Sequence, residues 1–275
     1  MFSRILAGTD GSDTAAVAVA HAGALAAKVQ AELVLVSAYR RSGGDDSPLG
    51  ADHDHAEDDV ARSIVEHEAR RLGDRLGLRT VVQEGNPTDV ILDIAEEQAV
   101  DLIVVGNKGM AGARRFFLGS VPNNVAHHAP CHVLIAHTVW AERTDDPLSV
   151  DGPLYGKVLI ATDGSPTARE AVHVGAELAA AIGAQVLLLH VGDPDRGKGV
   201  LEEAEAALGG QVGASSATME GDPAERILDV AAGEGADLIV VGNKGMTGAR
   251  RFLMGSVPNN VAHHAETNVL IAKTA

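Results

Sequence analysis

The chain contains one 29-residue segment twice, and this repeat constrains the fold more than any other feature. Residues 101–129 read DLIVVGNKGMAGARRFFLGSVPNNVAHHA, and residues 237–265 differ from them only at 111/247, 117/253 and 118/254. The rest of the two halves has diverged much further. We therefore expect two tandem domains of one fold. The preserved glycine, asparagine, lysine, arginine and serine positions indicate that both domains hold the same kind of ligand.

Composition narrows the class of protein. A length of 275 residues suffices for two domains with separate cores. With 3% aromatic residues, the cores must consist of alanine, valine, leucine and isoleucine, which suits buried parallel strands under alanine-rich helices. The net charge of −16 disfavours nucleic acid and anionic lipid, and no run of 18 apolar residues predicts a membrane span. A single cysteine and the lack of a signal peptide favour a reducing cytoplasm.

Both halves alternate apolar runs with helical patterns. In the first half the pattern predicts strands at 4–9, 32–38, 79–84, 102–105 and 132–136, and helices at 14–28, 57–76, 88–98 and near 120–128. Such alternation indicates parallel βαβ units with right-handed crossovers.

The domain boundaries follow from the alignment of the two halves. We predict a first domain at 1–140, a linker at 141–154 and a second domain at 155–275. The first copy has 17 extra residues, which we assign to the acidic segment around 42–59. Its charge and low hydrophobicity predict a solvated loop, and they also favour solvated residues over a metal site at His53-x-His55.

A glycine-rich loop lies inside each repeat, between a strand and a helix. Its spacing is G-x2-G-x9-G-S, formed by Gly106, Gly109, Gly119, Ser120 and by Gly242, Gly245, Gly255, Ser256. The first two glycines predict a sharp turn at the carboxyl edge of the sheet, where ligands bind in open α/β folds. We expect the serine to be the N-cap of the helix that follows, and a helix N-terminus favours the binding of phosphate. The spacing matches neither the P-loop nor the dinucleotide fingerprint.

With an early Asp-Gly-Ser turn, this spacing resembles the ATP-binding branch of the universal stress protein family, over nearly the whole chain. The resemblance implies two flavodoxin-like (Rossmann-like) domains, each a five-stranded parallel sheet with helices on both faces. It also implies an adenine nucleotide in each domain, ATP or a relative, with Mg²⁺. The implied contacts are Asp10, Ala38, Gly106, Gly109, Gly119, Ser120 and Val121 in the first domain, and Asp163, Val191, Gly242, Gly245, Gly255, Ser256 and Val257 in the second.

The aspartates of the two domains have two possible roles, and the end of the second strand differs between the halves. Asp10 and Asp163 either contact the ligand or cap the turn and the following helix. At the end of the second strand, Leu189-His190-Val191 keeps the usual pattern of the family, whereas the first half has Val36-Ser37-Ala38. We therefore expect a weaker or differently shaped adenine pocket in the first domain.

Other polar residues of the repeat have competing interpretations. Lys108 and Lys244 either pair with phosphate or are simply exposed, and the arginine pairs 114–115 and 250–251 either approach phosphate or anchor the loop. We expect the asparagine pairs 123–124 and 259–260 to make helix-surface or interdomain contacts. The histidine pairs 127–128 and 263–264 point about 100° apart on a helix, which argues against a shared metal ion. We expect Cys131 to be a small buried residue or the start of a strand. Because the second half has Thr267 at this position, a function shared by both halves does not need the thiol.

No residue pattern predicts a nucleophile or a base for phosphoryl transfer. We therefore expect a cytoplasmic stress or signalling protein that binds a nucleotide and hydrolyses it slowly or not at all. The rival hypotheses are a cyclic-AMP sensor, a true ATPase or phosphotransferase, and a scaffold with a vestigial loop. The domains are expected to pair about a pseudo-twofold axis through their last strands, 133–136 and 269–272, and a homodimer of chains stays open.

Overall fold

A computed structural model shows an α/β fold built on one sheet. It describes residues 1–40, 51–73, 77–107, 118–137, 154–243 and 254–274, with 51–56 described by their backbone alone. The strands are β1 (Arg4–Gly8), β2 (Glu32–Tyr39), β3 (Leu78–Glu84), β4 (Leu102–Gly106), β5 (His132–Ala136), β6 (Lys157–Ala161), β7 (Gln185–Val191), β8 (Ala214–Met219), β9 (Leu238–Gly242) and β10 (Asn268–Ala272). The helices are α1 (Asp13–Val29), α2 (Ala51–Leu72), α3 (Pro87–Glu97), α4 (Ser120–His128), α5 (Pro166–Ile182), α6 (Pro194–Ala207), α7 (Pro223–Glu234) and α8 (Ser256–His264).

Each half is a doubly wound parallel sheet, which confirms the predicted fold class. The strand order is β3-β2-β1-β4-β5 in the first half and β8-β7-β6-β9-β10 in the second. The chain moves outward from β1 to β3 and then returns to build the other side from β4. The crevice beside β1 and β4 is therefore the switch point at which such sheets bind ligands, and β6 and β9 flank its counterpart.

The two sheets join through their last strands. β5 and β10 pair antiparallel, with Leu134 opposite Leu270 and Val133 opposite Ile271. The expectation that the last strands meet is confirmed. The consequence is one mixed sheet of ten strands rather than two separate five-stranded sheets.

Helices cover both faces of this sheet because successive apolar side chains of each strand point to opposite faces. Ile5 and Ala7 of β1 face the layer formed by α1, α2, α5 and α6, whereas Leu6 faces the layer formed by α3, α4, α7 and α8. The strands of both switch points are almost fully buried, so their apolar composition follows from burial on both faces. Among the described helices, none is both long and apolar enough to span a bilayer.

The prediction of a loop at 42–59 was wrong for the second half of that segment. α2 begins at Ala51 instead of 57 and ends at Leu72 instead of 76, so half of the predicted loop is helical. Ala61, Val65 and Leu72 lie on one buried face of this helix. That packing stabilises a helix whose mean hydropathy is low. Residues 41–50 lie outside the described residues.

Candidate functional site

The turn after the first strand of each half is built by its own aspartate. Asp163 Oδ1 accepts a hydrogen bond from Ser165 N at 2.9 Å, and Asp10 Oδ1 accepts from Ser12 N at 3.0 Å. Ser12 and Ser165 in turn cap α1 and α5 through their side chains. The turn-capping interpretation therefore holds for one carboxylate oxygen. Within the described residues, no hydrogen bond to Asp163 Oδ2 is found, so this oxygen has room for a further donor.

The ionised form of Asp163 is favoured at this position. Partial burial raises the pKa of its carboxyl group, but hydrogen bonds from Ser165 and the nearby Arg196 guanidinium outweigh it, so the pKa lies below its usual range. An anionic oxygen at this edge suits a hydroxyl or amine donor of a ligand.

Packing explains the glycines at positions 106 and 242. A Cβ atom at Gly242 would lie 2.3 Å from Thr167 O, and one at Gly106 would lie 2.5 Å from Thr14 O. The first turn of α5, or of α1, thus passes directly over the end of the strand. Neither glycine has a positive φ angle. Close packing therefore accounts for these two glycines, and both lie at the predicted edge, whereas the predicted turn falls mainly on residues 108–117 and 244–253, outside the described residues.

The helices that follow the glycine loops begin without a side-chain cap. The described caps of the other helices accept hydrogen bonds through Ser12, Asn86, Ser165, Asp193 and Asp222. By contrast, the N-caps of α4 and α8 are Gly119 and Gly255, with no side-chain hydrogen bond. Their extended backbone places Ser120 and Ser256 inside the helix, so the prediction that serine is the N-cap was wrong. The first N–H groups of both helices are open to an anion.

A cavity of about 450 Å³ opens at the switch point of the second half. Six of the seven residues predicted for this site line it, namely Asp163, Val191, Gly242, Gly255, Ser256 and Val257. The sequence analysis missed further lining residues, namely Thr162, Ser165, Pro166, Thr167, Ala168, Pro223, Ile227, Val241 and Pro258. Several of these recur in both halves within T-D-G-S-x-T-A and I-L-D, which is the signal that could have identified them.

The two ends of this cavity differ in chemistry. One end is formed by the first turn of α8, with Gly255, Ser256 and Val257. The other is apolar and is formed by Leu189, Val191, Pro223 and Ile227. Such a cavity can hold an anionic group at one end and a flat apolar group at the other.

The first half places its predicted residues in the same elements. Asp10 follows β1, Ala38 lies in β2, and Gly106 ends β4. Gly119, Ser120 and Val121 begin α4, and Gly119 N donates to Asn107 O at 2.9 Å. Gly109 and Gly245 lie outside the described residues, as do Lys108, Lys244 and both arginine pairs. The side chains of His53 and His55 are likewise outside them.

The second strand differs between the halves on both of its faces. Leu189 and Val191 line the cavity, whereas His190 points to the opposite layer and its Nδ1 hydrogen-bonds Thr162 O at 3.0 Å. The cavity-facing positions of the first half are Val36 and Ala38, which are both smaller. This difference in size supports the expectation of a differently shaped first pocket.

Two buried amide groups lie directly after the glycines that end β4 and β9. Asn107 and Asn243 are 7% and 2% exposed, and their Oδ1 atoms have no hydrogen-bond partner among the described residues. Asn107 Nδ2 donates to His137 Nδ1 at 3.3 Å. Leaving a buried acceptor unpaired costs free energy, and both halves carry this cost at the base of the glycine loop.

The histidine and asparagine pairs connect the two halves. His127 Nε2 hydrogen-bonds Asn259 Oδ1 at 3.2 Å, and His263 Nε2 hydrogen-bonds Asn123 Oδ1 at 3.1 Å. Interdomain contact is thus confirmed for Asn123 and Asn259, and both neighbouring asparagines are exposed on the helix surface. Preservation of P-N-N-V-A-H-H in both copies therefore has an interface as one cause, besides any ligand. Cys131 precedes β5 and is half-buried, as expected.

Comparison with known proteins identifies the family. The sequence profile of the universal stress protein family matches residues 1–137, 154–208 and 195–273. The chain belongs to the universal stress protein family. The first matched range covers the first half of the ten-stranded sheet, and the other two, which overlap, together cover the second half, so it is a tandem member.

Relatives and solved structures agree with this assignment. Universal stress protein Rv2005c of Mycobacterium tuberculosis is 27% identical over 241 residues, which cover 79% of this chain and 78% of that protein. Universal stress protein Rv1636 of the same organism is 32% identical over 143 residues, covering 50% of this chain and 97% of that protein. A universal stress protein structure from Archaeoglobus fulgidus superimposes with a TM-score of 0.77 at 18% identity, covers 99% of both chains, and supports the fold alone.

Proposed function

We propose that this universal stress protein binds an adenine nucleotide, ATP or a close relative, in the cavity of its second half and at the corresponding place in its first half. The observation that carries the proposal is the open N-terminus of α8, which faces into a cavity whose other end is apolar. An anion at a helix N-terminus gains both N–H donors and the helix dipole. The resemblance of the glycine loop to the ATP-binding branch of the family supports the same ligand.

In this arrangement the phosphates lie at Gly255, Ser256 and Val257, and the base lies between Val191 and Ile227. Asp163 Oδ2 accepts from a ribose hydroxyl or an exocyclic amine. Mg²⁺ fits the same site when the phosphates supply most of its ligands, because magnesium proteins commonly add only one or two carboxylates. Among the described residues no group of three or more histidine, cysteine, aspartate or glutamate side chains could hold a metal on its own.

We propose that nucleotide occupancy acts through conformation or partner binding in stress signalling, with slow or no hydrolysis. In the described lining of the cavity the single carboxylate is Asp163, and its Oδ1 already accepts from the turn. That leaves a weak candidate for orienting an attacking water. We place the protein in a reducing compartment, since its one cysteine has no internal partner.

Native mass spectrometry of the purified chain tests retained binding and its stoichiometry. We expect one or two nucleotide masses per chain. Calorimetric titration with ATP, ADP, AMP, cyclic AMP and GTP then identifies the ligand. A preference for cyclic AMP over ATP would support the sensor hypothesis, and steady phosphate release well above one turnover per minute would support the ATPase.

A variant with an added cap tests the anion end directly. In Gly255→Asp the new carboxylate occupies the N-cap, where aspartate is favourable, and it competes with phosphate for the same N–H groups. We expect ATP affinity to fall at least tenfold while the melting temperature stays the same or rises. Gly119→Asp is the matched variant for the first half. Unchanged ATP binding in both variants would contradict the proposed placement of the phosphates.

A further inference from the structure

The helices α2 and α6 have the same register over the two sites. Ile64 of α2 packs against Gly11, and Val200 of α6 packs against Gly164, each 3.1 Å from the place of a glycine Cβ atom. Both glycines belong to the Asp-Gly-Ser turn. Since Ile64 and Val200 correspond, positions 58–71 of α2 have counterparts 136 residues later in α6.

One turn before these residues the two helices differ in charge. The second half has Arg196, whose Nη2 donates to Asp163 O at 3.5 Å. The first half has Val60 at this position, and its side chain is 60% exposed although it is apolar. In the described part of the chain Arg196 forms no ion pair, so this long contact with a carbonyl group leaves its guanidinium available.

The backbone beside Arg196 is fixed closely against the sheet. A Cβ atom at Gly197 would lie 2.7 Å from His190 Cδ2, and His190 Nδ1 hydrogen-bonds Thr162 O. His190 therefore connects the first turn of α6 to the strand end that carries Asp163. The first half has the pair Ser37 and Ala61 at these positions, in which a smaller strand residue accompanies a larger helix residue.

Arg196 does not itself line the cavity, but its contact with Asp163 O places its guanidinium group beside a residue that does. α6 follows β7, whose Leu189 and Val191 line the apolar end of the cavity, whereas the first turn of α8 forms the opposite, anion-binding end. A guanidinium group is planar and stacks on aromatic faces, which a flexible lysine does less well.

We propose that Arg196 is a specificity-determining residue of the second site, whose guanidinium covers the ring system of the bound purine, and that Val60 denies the first site this contact. The inference rests on the proposed nucleotide function. It gives the two sites unequal affinity for the same base, independently of the number of phosphates. A stacked arginine at an exposed site changes affinity by about two- to fivefold.

The test measures each site separately by isoleucine methyl NMR. Ile227 lines the second cavity, and its counterpart Ile91 approaches Gly8 at the end of β1. Adenosine, AMP and ATP are titrated into the full chain and into Arg196→Val, Arg196→Lys and Val60→Arg. Lys198→Val, at an exposed lysine of the same helix, is the control for loss of charge.

In Arg196→Val we expect the affinity reported by Ile227 to fall about two- to fivefold, by the same factor for all three ligands, with Ile91 unaffected. Arg196→Lys should restore little of it, Val60→Arg should strengthen the site reported by Ile91, and Lys198→Val should change neither site. A loss that grows with the number of phosphates, or that equals the loss in Lys198→Val, would overturn the assignment. If the wild type binds and Arg196→Val binds with the same affinity, this inference alone is overturned. If Ile227 of the wild type responds to no adenine compound, the proposed function is overturned as well.

Discussion

At the scale of single residues, a repeated glycine can have two different causes. A glycine in a nucleotide loop allows the ligand to approach the backbone, and a glycine under a helix allows the helix to approach. Gly106 and Gly242 belong to the second kind, because the carbonyl groups of Thr14 and Thr167 occupy the space of their missing side chains. Gly255 belongs to the first in the proposed site, since it leaves the N-terminus of α8 without a side-chain cap.

Substitution of Gly242 by alanine should therefore reduce stability before it affects binding. The added Cβ atom must displace the first turn of α5, and we expect a loss of about 1–3 kcal/mol in the free energy of unfolding, as for other overpacked sites. Urea unfolding measures it. Gly233→Ala is the control, because Gly233 in α7 has nothing within 4 Å of its Cβ position. It should stabilise the protein by about 0.5–1 kcal/mol. Equal effects of the two variants would contradict the packing explanation.

His21 should make stability depend on pH. Burial lowers the pKa of its imidazole from 6.5 to about 3, and its ring stacks on that of buried Tyr155. Because the folded pKa lies below the unfolded one, the unfolded chain takes up the proton first as the pH falls. The free energy of unfolding should therefore decrease from pH 6.5 toward pH 3, by about 1.4 kcal/mol per pH unit.

The variant His21→Phe keeps a ring at this position and removes the titration. Chemical denaturation at several pH values between 4.5 and 7 should show a shallower slope for it than for the wild type. His137, whose pKa burial lowers to about 4, continues to contribute in both proteins. An identical slope in wild type and variant would contradict the assignment to His21.

At the scale of elements, α4 and α8 each combine an open N-terminus with contacts between the two halves. Their first turns are open to an anion, and their last turns hold His127 and His263, which hydrogen-bond the opposite helix. Lys273 of the second half adds a contact to α4, because its Nζ donates to Ala126 O at 2.7 Å. The corresponding residue of the first half is His137, which has no ammonium group to make the equivalent contact. Burial lowers the pKa of Lys273 to about 8.

A double-mutant cycle should measure the link between these helices. We combine His263→Ala and Asn123→Ala, and expect a coupling of about 0.5–1.5 kcal/mol in the free energy of unfolding, the usual contribution of one hydrogen bond. The cycle of His127→Ala with Asn259→Ala is the symmetric comparison. Asn124→Ala in place of Asn123→Ala should give no coupling, since Asn124 is exposed. Strict additivity in both cycles would show that the bonds contribute nothing.

The comparison of sequence and structure is also clearest at this scale. The ends of β1, β2, β4 and β5 were predicted to within about one residue, because a fully buried strand must be a continuous apolar run between turn residues. The start of α2 was missed because residues 51–59 are almost entirely polar and acidic, a composition that predicts a solvated loop, and, among the side chains that the structure describes, the buried positions of the helix begin only at Ala61.

The candidate site was predictable to the extent that it is local in sequence. The Asp-Gly-Ser turn and the Gly-Ser helix start could be identified from short motifs. The packing role of Gly242 could not, because it depends on where α5 crosses the strand end. The same holds for Ile227 and Pro223, which reach the cavity from α7, and for Arg196, which approaches the backbone of Asp163 from α6.

At the scale of the whole molecule, the chain is one sheet that two homologous halves share. Beside the ladder between β5 and β10, His137 N donates to Asn268 Oδ1 and Lys273 N donates to His132 Nδ1. These two bonds exchange the roles of corresponding positions in the two halves, as expected for approximate twofold pairing. Tyr155, which begins the second half, is buried against His21 of the first.

This pairing should hold the halves together without a covalent connection. A protease site inserted between residues 141 and 150, which lie outside the described residues, allows the purified chain to be cut. We expect both fragments to stay associated at micromolar concentration, with the unfolding midpoint reduced and dependent on protein concentration. Separation would expose the edge of β5 and apolar side chains such as Leu134 and Leu270, which burial in the intact sheet removes from water. Native mass spectrometry and size exclusion measure the association. Two fragments that elute separately, each folded, would show that the linker rather than the shared sheet keeps the halves paired.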